Sequence, residues 1–123
     1  MTLELERSQW KPFFDGLSRA LENWDTNIHV LEENRGVTLL AERMPFHGLT
    51  LENVGGNELI GLSVGQLSDD TQMHNIFWPT RVAFAERGRG PAGTLDIEDA
   101  GGTTTLITFI EPHRIEREMG TSE

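Results

Sequence analysis

Cysteine is missing from the 123 residues. That absence removes disulfides, thiolate metal sites and cysteine nucleophiles together, and it fits a reducing compartment. Lysine is nearly missing as well. Lys11 is the single lysine among ten basic residues, which face twenty aspartates and glutamates for a formal charge of −10. Such a surface repels phosphate backbones, whose binding needs neutralisation by Lys and Arg, so nucleic acid and anionic membrane are poor partners. No apolar run approaches the ~18 residues of a membrane-spanning helix. No basic-then-apolar stretch precedes Trp10, and the expectation is a soluble, cytoplasmic protein.

What is present suits one domain over residues 1–123, with residues 1–7 and 112–123 expected as flexible ends. A chain of this length buries roughly two-thirds of its unfolded surface, enough for one core without metal or disulfide staples. Trp10, Phe13, Phe14, Leu17, Leu21 and Trp24 recur at helical period and form one apolar stripe, which predicts an amphipathic helix. Ser8 is a candidate N-cap, and Pro12 is tolerable because it lies in or near the first turn.

After Trp24 the pattern changes to period two. Thr26 to Arg43 reads as a hairpin about the turn Asn34-Arg35-Gly36, with Val37 and Leu39 expected in the core. Pro45 should break or start the next strand, Phe46 to Glu52. The turn Val54-Gly55-Gly56-Asn57 leads to Glu58–Gln66, where Gly61 and Gly65 suggest bending. Met73 to Trp78 alternates as a strand, with His74, Ile76 and Trp78 on one face. Thr80 to Ile110 holds three alternating runs divided by glycine-rich turns, the pattern of a β-meander. The expected fold is α+β: an N-terminal amphipathic helix packed on a strongly bent antiparallel sheet, or on a small open β-barrel, ending in that meander.

Several short segments together carry a resemblance. They are Arg7-Ser8-Gln9-Trp10 with Phe13-Phe14-Asp15, Ser68-Asp69-Asp70 with His74, and Pro79-Thr80-Arg81-Val82. Leu95-Asp96-Ile97-Glu98 with Gly102-Thr103-Thr104-Thr105-Leu106 completes the set. From about Ser8 to Phe109 the chain resembles a family of short bacterial proteins catalogued only as a domain of unknown function. The resemblance implies a stand-alone bacterial domain and transfers no catalytic residues.

The residues themselves argue against the common catalytic constellations. His29, His47, His74 and His113 lie far apart, and none forms the i, i+4 pair of a helical zinc site. No metal and no cofactor is expected. Gly61-Leu62-Ser63-Val64-Gly65 spells a nucleophile elbow, but Ser63 sits inside an expected strand rather than at a strand-to-helix turn. The glycine pairs near Arg87 and Gly101 divide strands instead of opening helices, so they are turns rather than phosphate loops.

Two candidate sites remain. Phe77, Trp78 and Arg81 surround a proline break and combine residue types enriched at binding hot spots. His74, with Asp70, Asp96 and Glu98 brought close by folding, would make a small pocket with an imidazole and carboxylates. Absent catalytic groups favour a non-catalytic binding or adaptor domain, able to self-associate or to take a protein partner. The alternative is a small enzyme or ligand-binding barrel built around His74.

Overall fold

The computed structural model describes residues 2–65, 71–87 and 92–112. Along them run strand β1 (Thr2–Leu5), one 3-10 turn (Arg7–Gln9), helix α1 (Trp10–Ala20), and strands β2 (Asp25–Glu32), β3 (Gly36–Val54) and β4 (Asn57–Val64). Strands β5 (Gln72–Phe77), β6 (Pro79–Glu86), β7 (Gly93–Asp99) and β8 (Thr104–Ile110) follow. All eight strands belong to one antiparallel sheet of order β1-β6-β7-β8-β2-β3-β4-β5, which is open because β1 and β5 each have a neighbour on one side only.

The apolar stripe becomes α1 as its period requires. Trp10, Phe14, Leu17 and Leu21 are buried within the same hydrophobic cluster as residues of every strand, and Phe13 and Trp24 are partly buried against it. Ser18 Oγ donates to Phe14 O and accepts from Leu49 N at 2.9 Å, which links α1 to β3. Ser8 is not the cap. It lies inside the 3-10 turn, and a reciprocal Glu6/Gln9 capping box closes the end instead. Thr2–Leu5, expected within a flexible end, pairs with β6 from Thr2↔Ala85 to Leu5↔Val82. The 112–123 tail lies largely outside the described residues.

Pro45 does not break its strand. It sits within β3 at the point where that strand changes partner: residues up to Pro45 pair with β2, and Phe46 to Val54 pair with β4. A proline has no N–H to contribute to a ladder, so a change of partner is where it is tolerated. The irregularity continues at Arg43, whose φ is +54°; its N–H donates to Asn27 Oδ1 at 2.8 Å.

Val37 and Leu39 are not core residues. They are 62% and 48% exposed. Ile28 pairs with Ala41 while His29 pairs with Leu39, so Leu40 is an extra residue in β3. One inserted residue reverses the alternation. Ala41 points inward beside Ile28, whereas Leu39 and Val37 follow His29 and Leu31 to the outer face. Leu62 and Val64 of β4, by contrast, are buried.

The strand order forces curvature. β5 and β6 stand six places apart in the sheet, yet only Trp78 joins them. Six steps across a flat sheet span ~29 Å at ~4.8 Å per strand, and the two peptide links from Phe77 to Pro79 reach at most ~7.6 Å. The sheet therefore curls until its ends approach. The buried face lies inside the curl, where the Phe46 and Phe109 rings meet edge to face at 4.9 Å, although β2 separates their strands.

Gly93 shows how closely β7 approaches its neighbour β6. A Cβ there would collide with the carbonyl oxygen of Ala85 and the Phe84 ring. Gly93→Ala should cost about 1–3 kcal/mol through overpacking. Leu17→Ala should cost ~2–5 kcal/mol through lost transfer energy and a residual cavity, and Val37→Ala should stay within ~0.5 kcal/mol as an exposed site. Urea midpoints measure all three, and equal shifts for Leu17→Ala and Val37→Ala would place the helix stripe outside the core.

Candidate functional site

Trp78, the single residue between β5 and β6, has φ +55°, a left-handed conformation that disfavours bulky side chains. Its surroundings hold it there. Trp78 N donates to Glu58 O at 2.9 Å, Trp78 O accepts from Ala100 N at 3.0 Å, and Nε1 donates to Asn57 Oδ1 at 3.2 Å. Trp78 is nevertheless 57% exposed, and the adjoining Phe77 is 45% exposed. Their centroids lie 5.9 Å apart with the planes inclined at 50°.

Beside this corner is a cleft of about 320 Å³. Edge strand β5 forms one wall through His74, Ile76 and Phe77. Val30 and Glu32 of β2 with Thr105 of β8 form the facing wall, and the β7–β8 turn closes one end through Asp99 and Gly101. The curl creates this space, because β5 arrives opposite β2 and β8 without pairing to them. Asp99 is fixed by its turn: Oδ1 accepts from Gly101 N at 2.9 Å and Thr103 N at 3.0 Å. Burial lowers the pKa of His74 below its ordinary 6.5, so its imidazole is neutral at neutral pH.

The expected carboxylate partners of His74 are elsewhere. Asp96 and Glu98 do not line the cleft; they stand on the other face of β7 with Arg81. Asp70 lies outside the described residues. The acidic residues that do line the cleft are Glu32 and Asp99. Phe77 and Trp78 border it together, whereas Arg81 is engaged on the outer face. Its Nε is 3.2 Å from Glu4 Oε1, and its Nη1 is 3.1 Å from Glu98 Oε2 and 3.8 Å from Asp96 Oδ2. The Glu4 hydrogen bond, followed by the charges of Glu4, Glu98 and Asp96, raises the Arg81 pKa. Among the described residues no group of His, Asp and Glu is placed to hold a metal ion. Nor is any helix among them long and apolar enough to cross a membrane.

A family model described as a family of unknown function (DUF5335) matches residues 1–118. The chain belongs to this family. No curated protein and no solved structure matches it. Membership of DUF5335 agrees with the resemblance carried by the helix and meander segments, and the match extends beyond them at both ends.

Sequence reading found His74, Phe77 and Trp78 but singled out neither Glu32 nor Asp99 as a cleft residue. Glu32 carries no local signal, since it meets β5 only through the curl. Asp99 carried one: Asp followed by Ala-Gly-Gly is a turn in which the carboxylate accepts backbone N–H groups. Alternation along β7 also sets Asp99 on the face opposite Asp96 and Glu98.

Asp96 has a testable electrostatic role. Its Oδ1 is buried without a hydrogen-bond partner. Burial first, and then Glu98, raise its pKa above the ordinary 3.8, with Arg81 opposing. A raised carboxyl pKa means that the folded state holds the proton more tightly than the unfolded state. Stability from this group is thus greatest below pH 3.8 and falls as pH rises through the raised value. Asp96→Asn should therefore be at least as stable as the parent at pH 7 and lose any advantage near pH 3. Urea unfolding at the two pH values checks this, and a clearly weaker variant at pH 7 would show that the Arg81 pairing dominates.

Proposed function

We propose that the protein is a non-catalytic binding domain that takes its ligand in the cleft beside Trp78. The observation that carries this reading is Trp78 itself: a bulky residue held at positive φ by three hydrogen bonds and left exposed at the mouth of a concave site. Backbone strain of this kind costs of order 1–3 kcal/mol and gathers at ligand clamps and active sites. A volume of about 320 Å³ is at the small end of ligand pockets. The enzymatic alternative would rest on His74, yet Asp96 and Glu98 are not beside it, and Asp99 is engaged in its turn.

Backbone amide and indole NMR with a fragment library tests the proposal. Trp10 Nε1 donates to Leu5 O in the core and serves as an internal reference. Hits should move the Trp78 indole signal and the amides of β5 and the β7–β8 turn in a saturable way, while the Trp10 indole signal stays fixed. Hits confined to other surfaces, or none that saturate, would overturn the proposal. Shifts of the same resonances on raising protein concentration alone would replace it with self-association through β5.

A further inference from the structure

We infer that the cleft takes an organic cation, an ammonium or guanidinium group, recognised by Phe77 and Trp78 together with Glu32 and Asp99. This rests on the binding-domain reading above and names the ligand class for the same cleft. Three features converge. First, two aromatic rings inclined at 50° border the site, and the Asn57 hydrogen bond orients the indole. Aromatic faces attract cations through the ring quadrupole, and tryptophan does so best.

Second, the cleft's carboxylates come from two different elements, Glu32 from β2 and Asp99 from the β7–β8 turn. Neither belongs to an ion pair among the described residues, in contrast to Glu4, Glu98 and Asp96, which Arg81 engages on the outer face. Asp99 Oδ1 is held by two backbone donors, which fixes the carboxylate at the end of the cleft.

Third, no lysine or arginine is among the described residues that line the cleft. Its one basic group, His74, is kept neutral by burial and does not compete with a cation at neutral pH. Ile76, Val30 and the methyl groups of Thr103 and Thr105 supply an apolar bed for the carbon skeleton that carries the charge. The small volume suits a side-chain-sized cation rather than an extended cofactor.

The test titrates the intact protein with choline, n-butylammonium and a blocked Gly-Lys-Gly peptide. The neutral choline isostere 3,3-dimethyl-1-butanol is run alongside, and the Trp78 indole signal is the readout. At least one cation should saturate, with the isostere about tenfold weaker, the scale of a partly desolvated cation–π contact. The peptide arm separates a protein-borne lysine from a free small cation. Glu32→Gln should weaken cation binding about fivefold or more, while Glu98→Gln, the same charge change on the other face, should leave it within about twofold. Trp78→Gly removes the ring at a φ that glycine accepts, and it should abolish binding. If that variant fails to fold, Glu32→Gln still decides. Affinity should fall as pH drops below 6.5 and His74 takes up a proton beside the bound cation, and His74→Gln should remove that step.

Equal binding of the isostere would overturn the cation assignment and leave a binding cleft standing. Equal weakening by Glu32→Gln and Glu98→Gln would reduce the attraction to general surface acidity and overturn the assignment of Glu32. Saturation by none of the four probes would overturn the cation class. If a fragment screen of the same cleft were also empty, the binding reading would fall with it.

Discussion

The shape depends on one short connection. Trp78 is the only residue between a strand at one edge of the sheet and a strand next to the other edge. Antiparallel neighbours joined by tight turns make a flat meander with no difficulty. A one-residue link across six strand positions does not allow flatness, because peptide geometry cannot bridge the distance. The curl, the enclosed core and the two-walled cleft all follow from that link. The hydrogen bonds at Trp78 show how the corner is secured: β4 accepts through Glu58 O, and the β7–β8 turn donates through Ala100 N. The corner therefore ties together three parts of the sheet that are not neighbours in sequence.

Curling without closure separates the charges. On the outer face Arg81 gathers Glu4, Asp96 and Glu98 across β1, β6 and β7. Exposed ion pairs of this kind add little stability individually, but they neutralise carboxylates that would otherwise repel one another near the β1 edge. Among the described residues no such cation lines the cleft. Glu32 and Asp99 come near β5 because the sheet is bent, not because their strands pair. The acidic composition is thus divided into a compensated cluster and an uncompensated one, and the uncompensated one borders the concave surface.

Much of this fold was legible from the order of residues. The helix stripe from Trp10 to Leu21, the turn at Asn34-Arg35-Gly36 and the alternation from Thr80 to Ile110 are local patterns, and local patterns survive folding. What failed was the phase of alternation around Leu40. A bulge inserts one residue without changing composition, and the expectation for Val37 and Leu39 was inverted as a result. Pro45 misled for a related reason. It marks a change of partner inside a 19-residue strand rather than an end. The cleft was half legible. His74, Phe77 and Trp78 share one short segment, so their proximity could be read. Glu32 and Asp99 join them only through the curl, which depends on strand order, and strand order is a non-local property that no single segment encodes.

The same non-locality explains why Asp96 and Glu98, and not Asp99, were the carboxylates expected beside His74. Asp96 and Glu98 lie two apart on β7 and share a face, as alternation requires. Asp99 follows directly but ends the strand, and its carboxylate bends into the turn to accept the N–H groups of Gly101 and Thr103. One residue of difference in position moves a carboxylate from a salt-bridged surface to the lining of a cleft. A single step along the end of β7 thus decides which acids Arg81 compensates and which border the cleft.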